Sequence, residues 1–354
     1  SEEAVFSAVA RFAEAKQPVE ADLLGLLRHV RFSQMSKEFF HGTVRTSPIL
    51  DTKAGKDLII ENLMPLGPTQ QPRSGFGARF LYVMGGRTLD VEIYDPLADT
   101  WSACTRMISS HSLGAAAVLN GKIYMVGGRS GDTVSKNVEV FDPQTGSWAA
   151  LTPMAASRQE LAAATVGGKI YAIGGIYPGG NSSSVEVFDP QTAAWAEVAP
   201  MPAARAAHGA AVLDGKIYVI GGCESPGRCT DSMQVYDPQT NTWATGPPVP
   251  TARMALGVAA LGGKIYAVGG YKDGNAASVV EVFDPQTNGW AAVAPMSTGR
   301  DSFSLTPVRG KLYAVGGDGP DTPEAVEVYD PQQNRWDAVA PMANARSRHC
   351  AVSL

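Results

Sequence analysis

The chain is poor in the residues that most active sites are built from. Four cysteines and five histidines are spread over 354 residues, and nowhere do they fall at metal-ligand spacing. Four cysteines in so long a chain also exclude a disulfide framework. No apolar run approaches the ~18 residues that a membrane span needs, and no signal-peptide pattern opens the sequence. Net charge is only −5, which argues against nucleic acid as the partner. Glycine-rich runs such as Pro178–Asn181 lie between strand patterns rather than at the start of a helix, so none is a phosphate loop. The expectation is a protein without catalytic activity, cofactor or metal, in the cytoplasm or nucleus, that binds neither nucleic acid nor membrane.

What the chain has is one stretch written six times. A clean copy is Lys169–Trp195, KIYAIGGIYPGGNSSSVEVFDPQTAAW. The glycine pairs are Gly85-Gly86, Gly127-Gly128, Gly174-Gly175, Gly221-Gly222, Gly269-Gly270 and Gly316-Gly317. The Asp-Pro pairs begin at Asp95, Asp142, Asp189, Asp237, Asp284 and Asp330. Six positions after each comes Trp101, Trp148, Trp195, Trp243, Trp290 or Trp336, all six tryptophans of the chain. A period in the forties signals a repeat architecture. Each unit reads as four strands, with tight turns such as Asn120-Gly121 and Asp214-Gly215 that suit a type I′ hairpin. Repeated four-stranded sheets escape exposed edges by closing radially. An all-β six-bladed propeller over residues 77–354 is therefore predicted. The first copy lacks its own first strand, and Arg346–Leu354 matches the start of a unit, so residues 346–354 are expected to close the first blade.

Residues 1–66 contain no copy. Val5, Phe6, Val9 and Phe12, then Leu23, Leu24, Leu27 and Val30, fall at helical spacing, which predicts a small α-helical segment. Pro65, Gly67, Pro68 and Pro72 mark a linker over 67–76.

Spacing separates scaffold from site. Asp-Pro to Trp, and Trp to the Met position, are six residues in every copy. Length varies only after the glycine pair, in the inserts 87–90, 129–137, 176–184, 223–232, 271–279 and 318–325. In an up-down blade these inserts share one face with the links between blades, and variable loops on a rigid scaffold are where binding usually lives. Four residues past each Met position, Val249 in one copy, the link carries Arg158, Arg205, Arg253, Arg300 or Arg346, with His111 in the remaining copy. Arg87, Arg129 and Arg348 fall nearby. A basic ring of this kind would hold an acidic peptide segment, plain or phosphorylated, through bidentate forks. An alternative is internal: Glu92, Glu139, Glu186, Glu281 and Glu327 recur on the third strands, with Gln234 in the sixth copy, and the arginines would pair with these. Cys223 and Cys229 share one loop, either as exposed inert thiols or as a redox pair.

The G-G, [FY]-D-P and Trp pattern resembles the Kelch repeat. AVFSAVARFAEAKQPVEADLLGLLRHVRFSQMSKEFF, followed by KDLIIE, resembles the second half of a BACK domain. Together they look like the BTB-BACK-Kelch family, with the BTB domain and the front of BACK absent. That resemblance implies substrate recognition for a cullin-RING ubiquitin ligase, with the cullin reached only through the missing BTB and N-terminal BACK region. It also implies a substrate pocket at Arg87, Arg129, Arg158, Arg205, Arg253, Arg300, Arg346 and Tyr271. A scaffold or actin-binding Kelch protein without a ligase is the alternative.

Overall fold

The computed structural model describes residues 80–354 apart from 226, 321 and 322. The helical segment expected at 1–66 and the linker at 67–76 lie outside the described residues. Six four-stranded antiparallel sheets make six blades. The second blade is typical: Ala115–Leu119, Lys122–Val126, Val138–Asp142 and Ser147–Leu151 pair in sequence order. The first blade is composite. Its Leu81–Gly85, Val91–Asp95 and Thr100–Cys104 are completed by His349–Ser353 from the end of the chain. That strand runs antiparallel to Leu81–Gly85, in register from Leu81↔Ser353 to Gly85↔His349.

The predicted hairpin turns take the backbone they require. Asn120 and Gly121 have φ of 51° and 71°, and even Arg309 before Gly310 is held at 48°. Both central residues are then left-handed, which matches the twist of the flanking strands. The fourth strand starts one residue before Trp and stops short of the Met position, as in Ser147–Leu151. Met107, Met154, Met201, Val249, Met296 and Met342 belong to the links and are buried.

The cores lie between blades, because each sheet has two apolar faces and, among the described residues, no helix covers them. One cluster joins Tyr171, Ile173 and Val187 of the third blade to Ile217, Val219 and Tyr236 of the fourth. The tryptophans add a polar stitch at the same seams. Trp148 Nε1 donates to the carbonyl of Thr105 at 3.0 Å, Trp195 to Thr152 at 3.0 Å, and Trp101 closes the circle on Ala340 at 2.8 Å. A buried indole needs a partner for its N–H, and in each blade the preceding one supplies it.

The glycine pairs serve the seams as well. Gly127 has φ +63°, and a Cβ there would stand 2.6 Å from the carbonyl oxygen of Arg158 in the next link. The N–H of Gly128 donates to that same oxygen at 2.8 Å. Only glycine allows both the positive φ and the approach. The same clamp recurs at Gly175 on Arg205, Gly222 on Arg253, Gly270 on Arg300 and Gly317 on Arg346.

Candidate binding face

Inserts and links do share a face. Lys136 accepts from the N–H of Met154 at 3.0 Å, and Ser135 from that of Arg158 at 3.0 Å, which ties the second blade's insert to the following link. Four inserts rise as small hairpins: Arg129–Ser130 with Thr133–Val134, Ile176–Tyr177 with Gly180–Asn181, Cys223–Ser225 with Arg228–Cys229, and Tyr271–Lys272 with Asn275–Ala276. They stand on blades two to five. Among the described residues, the inserts of blades one and six add no hairpin.

On this face the links meet and close a ring. Leu113, Glu160, Ala207, Ala255, Ser302 and Arg348 each lie two residues past the arginine or histidine of their link. All are left-handed, with φ between 51° and 60°. Each N–H donates to the carbonyl of its neighbour in the adjoining link: Glu160 to Leu113 at 2.7 Å, Ala207 to Glu160 at 2.9 Å, Ala255 to Ala207 at 2.7 Å, Ser302 to Ala255 at 3.1 Å, Arg348 to Ser302 at 2.8 Å and Leu113 to Arg348 at 3.0 Å. Side chains other than glycine cost energy in this conformation. The closed circle of bonds holds them in it.

The recurring arginines do not belong to the open face. Arg158, Arg205 and Arg253 are 0% exposed, Arg300 4% and Arg346 2%. Their guanidinium groups turn down into the blade. Arg158 reaches Glu186 at 2.6 Å, Arg253 Glu281 at 2.5 Å, Arg300 Glu327 at 2.6 Å and Arg346 Glu92 at 3.0 Å. His111 is also fully buried, with Nδ1 on the carbonyl of Gly127 at 2.7 Å and Nε2 facing Glu139 at 3.4 Å. Burial pushes the Glu139 carboxyl up, but the hydrogen bonds from His111 and Ser109 outweigh it and bring the group down overall. A charge taken out of water must be paired where it is buried, and here the partner is internal. The ring of ligand-facing arginines expected from the spacing is therefore corrected for these six positions. They stitch each link to the blade it enters.

One blade departs from this arrangement. The fourth blade has Gln234 where the others have glutamate, and its Oε1 is buried without a partner, so Arg205 has no carboxylate. It relies instead on the carbonyls of Gly221 and Ser232 and the hydroxyl of Ser232. Burial pushes its guanidinium pKa down, with Glu224 opposing. In four other blades the glutamate also accepts the N–H just after the Met position, as Glu186 does from Ala155 at 2.7 Å; in the fifth that position is Pro250, and Glu281 accepts the hydroxyl of Thr251 at 2.8 Å instead. In the fourth blade that position is Pro202, which has no N–H to give.

The exposed members of the predicted set are few. Arg87 and Arg348 are exposed, while Arg129 and Tyr271 are half-buried. Arg129 leans on its own hairpin, with Nη2 3.1 Å from the carbonyl of Asp132. Sequence reasoning missed two acidic residues beside them, Glu160 and Asp301. Aligning the links two residues past each arginine would have shown Glu160 and Arg348 as the two charged members of a set otherwise made of Leu113, Ala207, Ala255 and Ser302. The thiols of Cys223 and Cys229 are free, and Cys223 is buried rather than exposed. The two residues are direct cross-strand partners. Burial pushes both thiols up, which disfavours the reactive thiolate. Mild oxidation with diamide is expected to leave both alkylatable; joint loss of the two would establish a bridge. His208 and His349 sit at equivalent buried positions with both ring nitrogens unpartnered. Burial holds each down at about 3, so both are neutral packing groups.

The chain belongs to the Kelch-repeat family. The KLHDC2/KLHL20/DRC7 Kelch-repeats domain matches residues 160–354, more than half of the sequence, and a Kelch motif matches residues 111–155. Neither a BTB nor a BACK domain is matched. No curated protein matches the chain in sequence. Among solved structures, the protein titled "Structure of YjhT" is similar at a TM-score of 0.62 and 16% identity, over 76% of this chain and 99% of that one. At that identity the likeness shows the fold alone.

Proposed function

We propose that this propeller recognises a protein segment at its hairpin-walled mouth, as the substrate-binding part of a cullin-RING ligase receptor. The cullin would be reached through a BTB domain that these residues do not include. The observation that carries the recognition reading is the division of labour in the links. One residue per link is spent on the seam. Its neighbours vary from blade to blade and line the ring that the hairpins surround. A rigid scaffold with unlike residues at equivalent mouth positions is a binding surface rather than a packing solution.

Arg87, Arg129 and Arg348 lie on adjoining blades, the first and second, and remain accessible. They are the groups that would take acidic side chains of the target. Substituting Arg129→Ala or Arg348→Ala is expected to weaken binding of an acidic peptide about tenfold or more, the scale of a charged hydrogen bond. Raising ionic strength is expected to weaken it further. Titration of fluorescent Asp/Glu-rich peptides against wild type and both variants reads this directly. Unchanged affinity in both variants would remove the arginines from the site.

A further inference from the structure

The mouth contains hydrogen-bond acceptors with nothing to accept. Glu160, in the ring on the third blade, makes no side-chain hydrogen bond or ion pair among the described residues, although it is largely sunk into the mouth. Gln159 beside it is 9% exposed, and its Oε1 is buried without a partner. On the sixth blade, Asp301 occupies the register of Gln159 and forms a backbone bridge with Asp318, just as Gln159 does with Ile176. Among the described residues, the Asp301 carboxyl takes only the hydroxyl of Ser302, at 2.8 Å, and Asp318 takes nothing. Burial pushes the carboxyls of Glu160 and Asp301 up, Asp318 adds to the rise at Asp301, and Arg348 opposes it at both. Arg348, the cation that opposes both, is exposed and makes no ion pair among the described residues. Blades three and six are three steps apart in a ring of six, so Glu160 and Asp301 stand on opposite sides of the axis.

A metal ion does not fit this set. Among the described residues, no group of three or more His, Cys, Asp or Glu side chains is placed to hold one. Unpaired acceptors on opposite sides of an axis call for a group that donates several hydrogen bonds and carries positive charge. We propose that the acidic side of the mouth receives the ammonium or guanidinium of a lysine or arginine, inserted along the axis between Glu160 and the Asp301–Asp318 pair. This rests on the recognition reading above and sharpens it. The bound segment is charge-mixed, with a basic residue on the axis and acidic residues toward Arg87 and Arg129.

Carboxyls raised by burial favour folding while protonated, below their ordinary values, and that contribution is lost as pH rises through the raised values. At neutral pH the unfilled site therefore costs stability. Glu160→Gln is expected to raise Tm at pH 7, with the gain vanishing in acid below the ordinary glutamate value of 4.5.

The test needs no knowledge of the natural target. Nα-acetyl-lysine amide, Nα-acetyl-arginine amide and the uncharged Nα-acetyl-norleucine amide are titrated into the propeller by NMR. Saturable binding of one or both cationic probes in the millimolar range is expected, with none for norleucine. Glu160→Gln and Asp301→Asn should each weaken it about tenfold, while Asp337→Asn on an outer strand, a charge-matched control, leaves it unchanged. Comparing the lysine and arginine probes identifies which head group fits. Absence of saturable binding, equal binding of norleucine, or full retention in Glu160→Gln and Asp301→Asn overturns the proposal. The acidic-peptide titration with Arg129→Ala reads the recognition proposal separately, so failure of one is distinguishable from failure of the other.

Discussion

Deleting residues 346–354 is expected to abolish the cooperative thermal transition of the propeller. The deletion removes His349–Ser353, which supplies the inner strand of the first blade. It also removes Arg346, which holds Glu92, the carbonyl of Gly85 and the N–H of Gly317. One member of the axial ring, Arg348, is lost as well. Leu81–Gly85, buried at every position, would then face solvent along an unpaired edge. Losing a central strand, a buried ion pair and the ring closure together removes more than the ~5–15 kcal/mol by which a typical domain is stable. Calorimetry and near-UV circular dichroism of the truncated chain check this. A cooperative transition within a few degrees of wild type would show that blade one closes by other means.

Breaking a single seam should also be costly. Glu281→Gln is expected to destabilise by about 3–5 kcal/mol, because it leaves the buried Arg253 guanidinium without its anion. Gln234→Glu should act in the opposite direction, by supplying Arg205 with the carboxylate that four other arginines have. Its gain is expected to be smaller, because Pro202 offers no N–H to the second oxygen. Urea denaturation of both variants measures the pair. A cost below about 1 kcal/mol for Glu281→Gln would mean that the carbonyls of Gly269, Thr251 and Ala267 are enough to hold the charge. The same outcome would explain how the fourth blade tolerates Gln234.

These two cases mark how far the residues could be read without coordinates. The tryptophans, glycine pairs and Asp-Pro turns carry the fold in their spacing, because each blade repeats the same contacts with the next one. The arginines show where that reading stops. A residue repeated once per blade on the link satisfies equally well a ring that faces a ligand and a stitch that faces the sheet. The recurrence of glutamate on the third strands, with Gln234 as the single exception, already held the second possibility. Only the direction of the side chain decides between them.

Glu160 illustrates the converse. As one acidic residue in a repeat that contains many, it carries no periodic signal, and its lack of a partner exists only in three dimensions. The sequence by itself determined six blades, their closure by the last strand and the face on which the variable inserts lie, because these follow from chain order and spacing. The tertiary structure alone decided which charges are spent inside the seams and which remain unpaired at the mouth. Pairing depends on which way each side chain turns from its link, and at the seam where the sixth blade meets the first it joins Arg346 to Glu92 across 254 residues of chain.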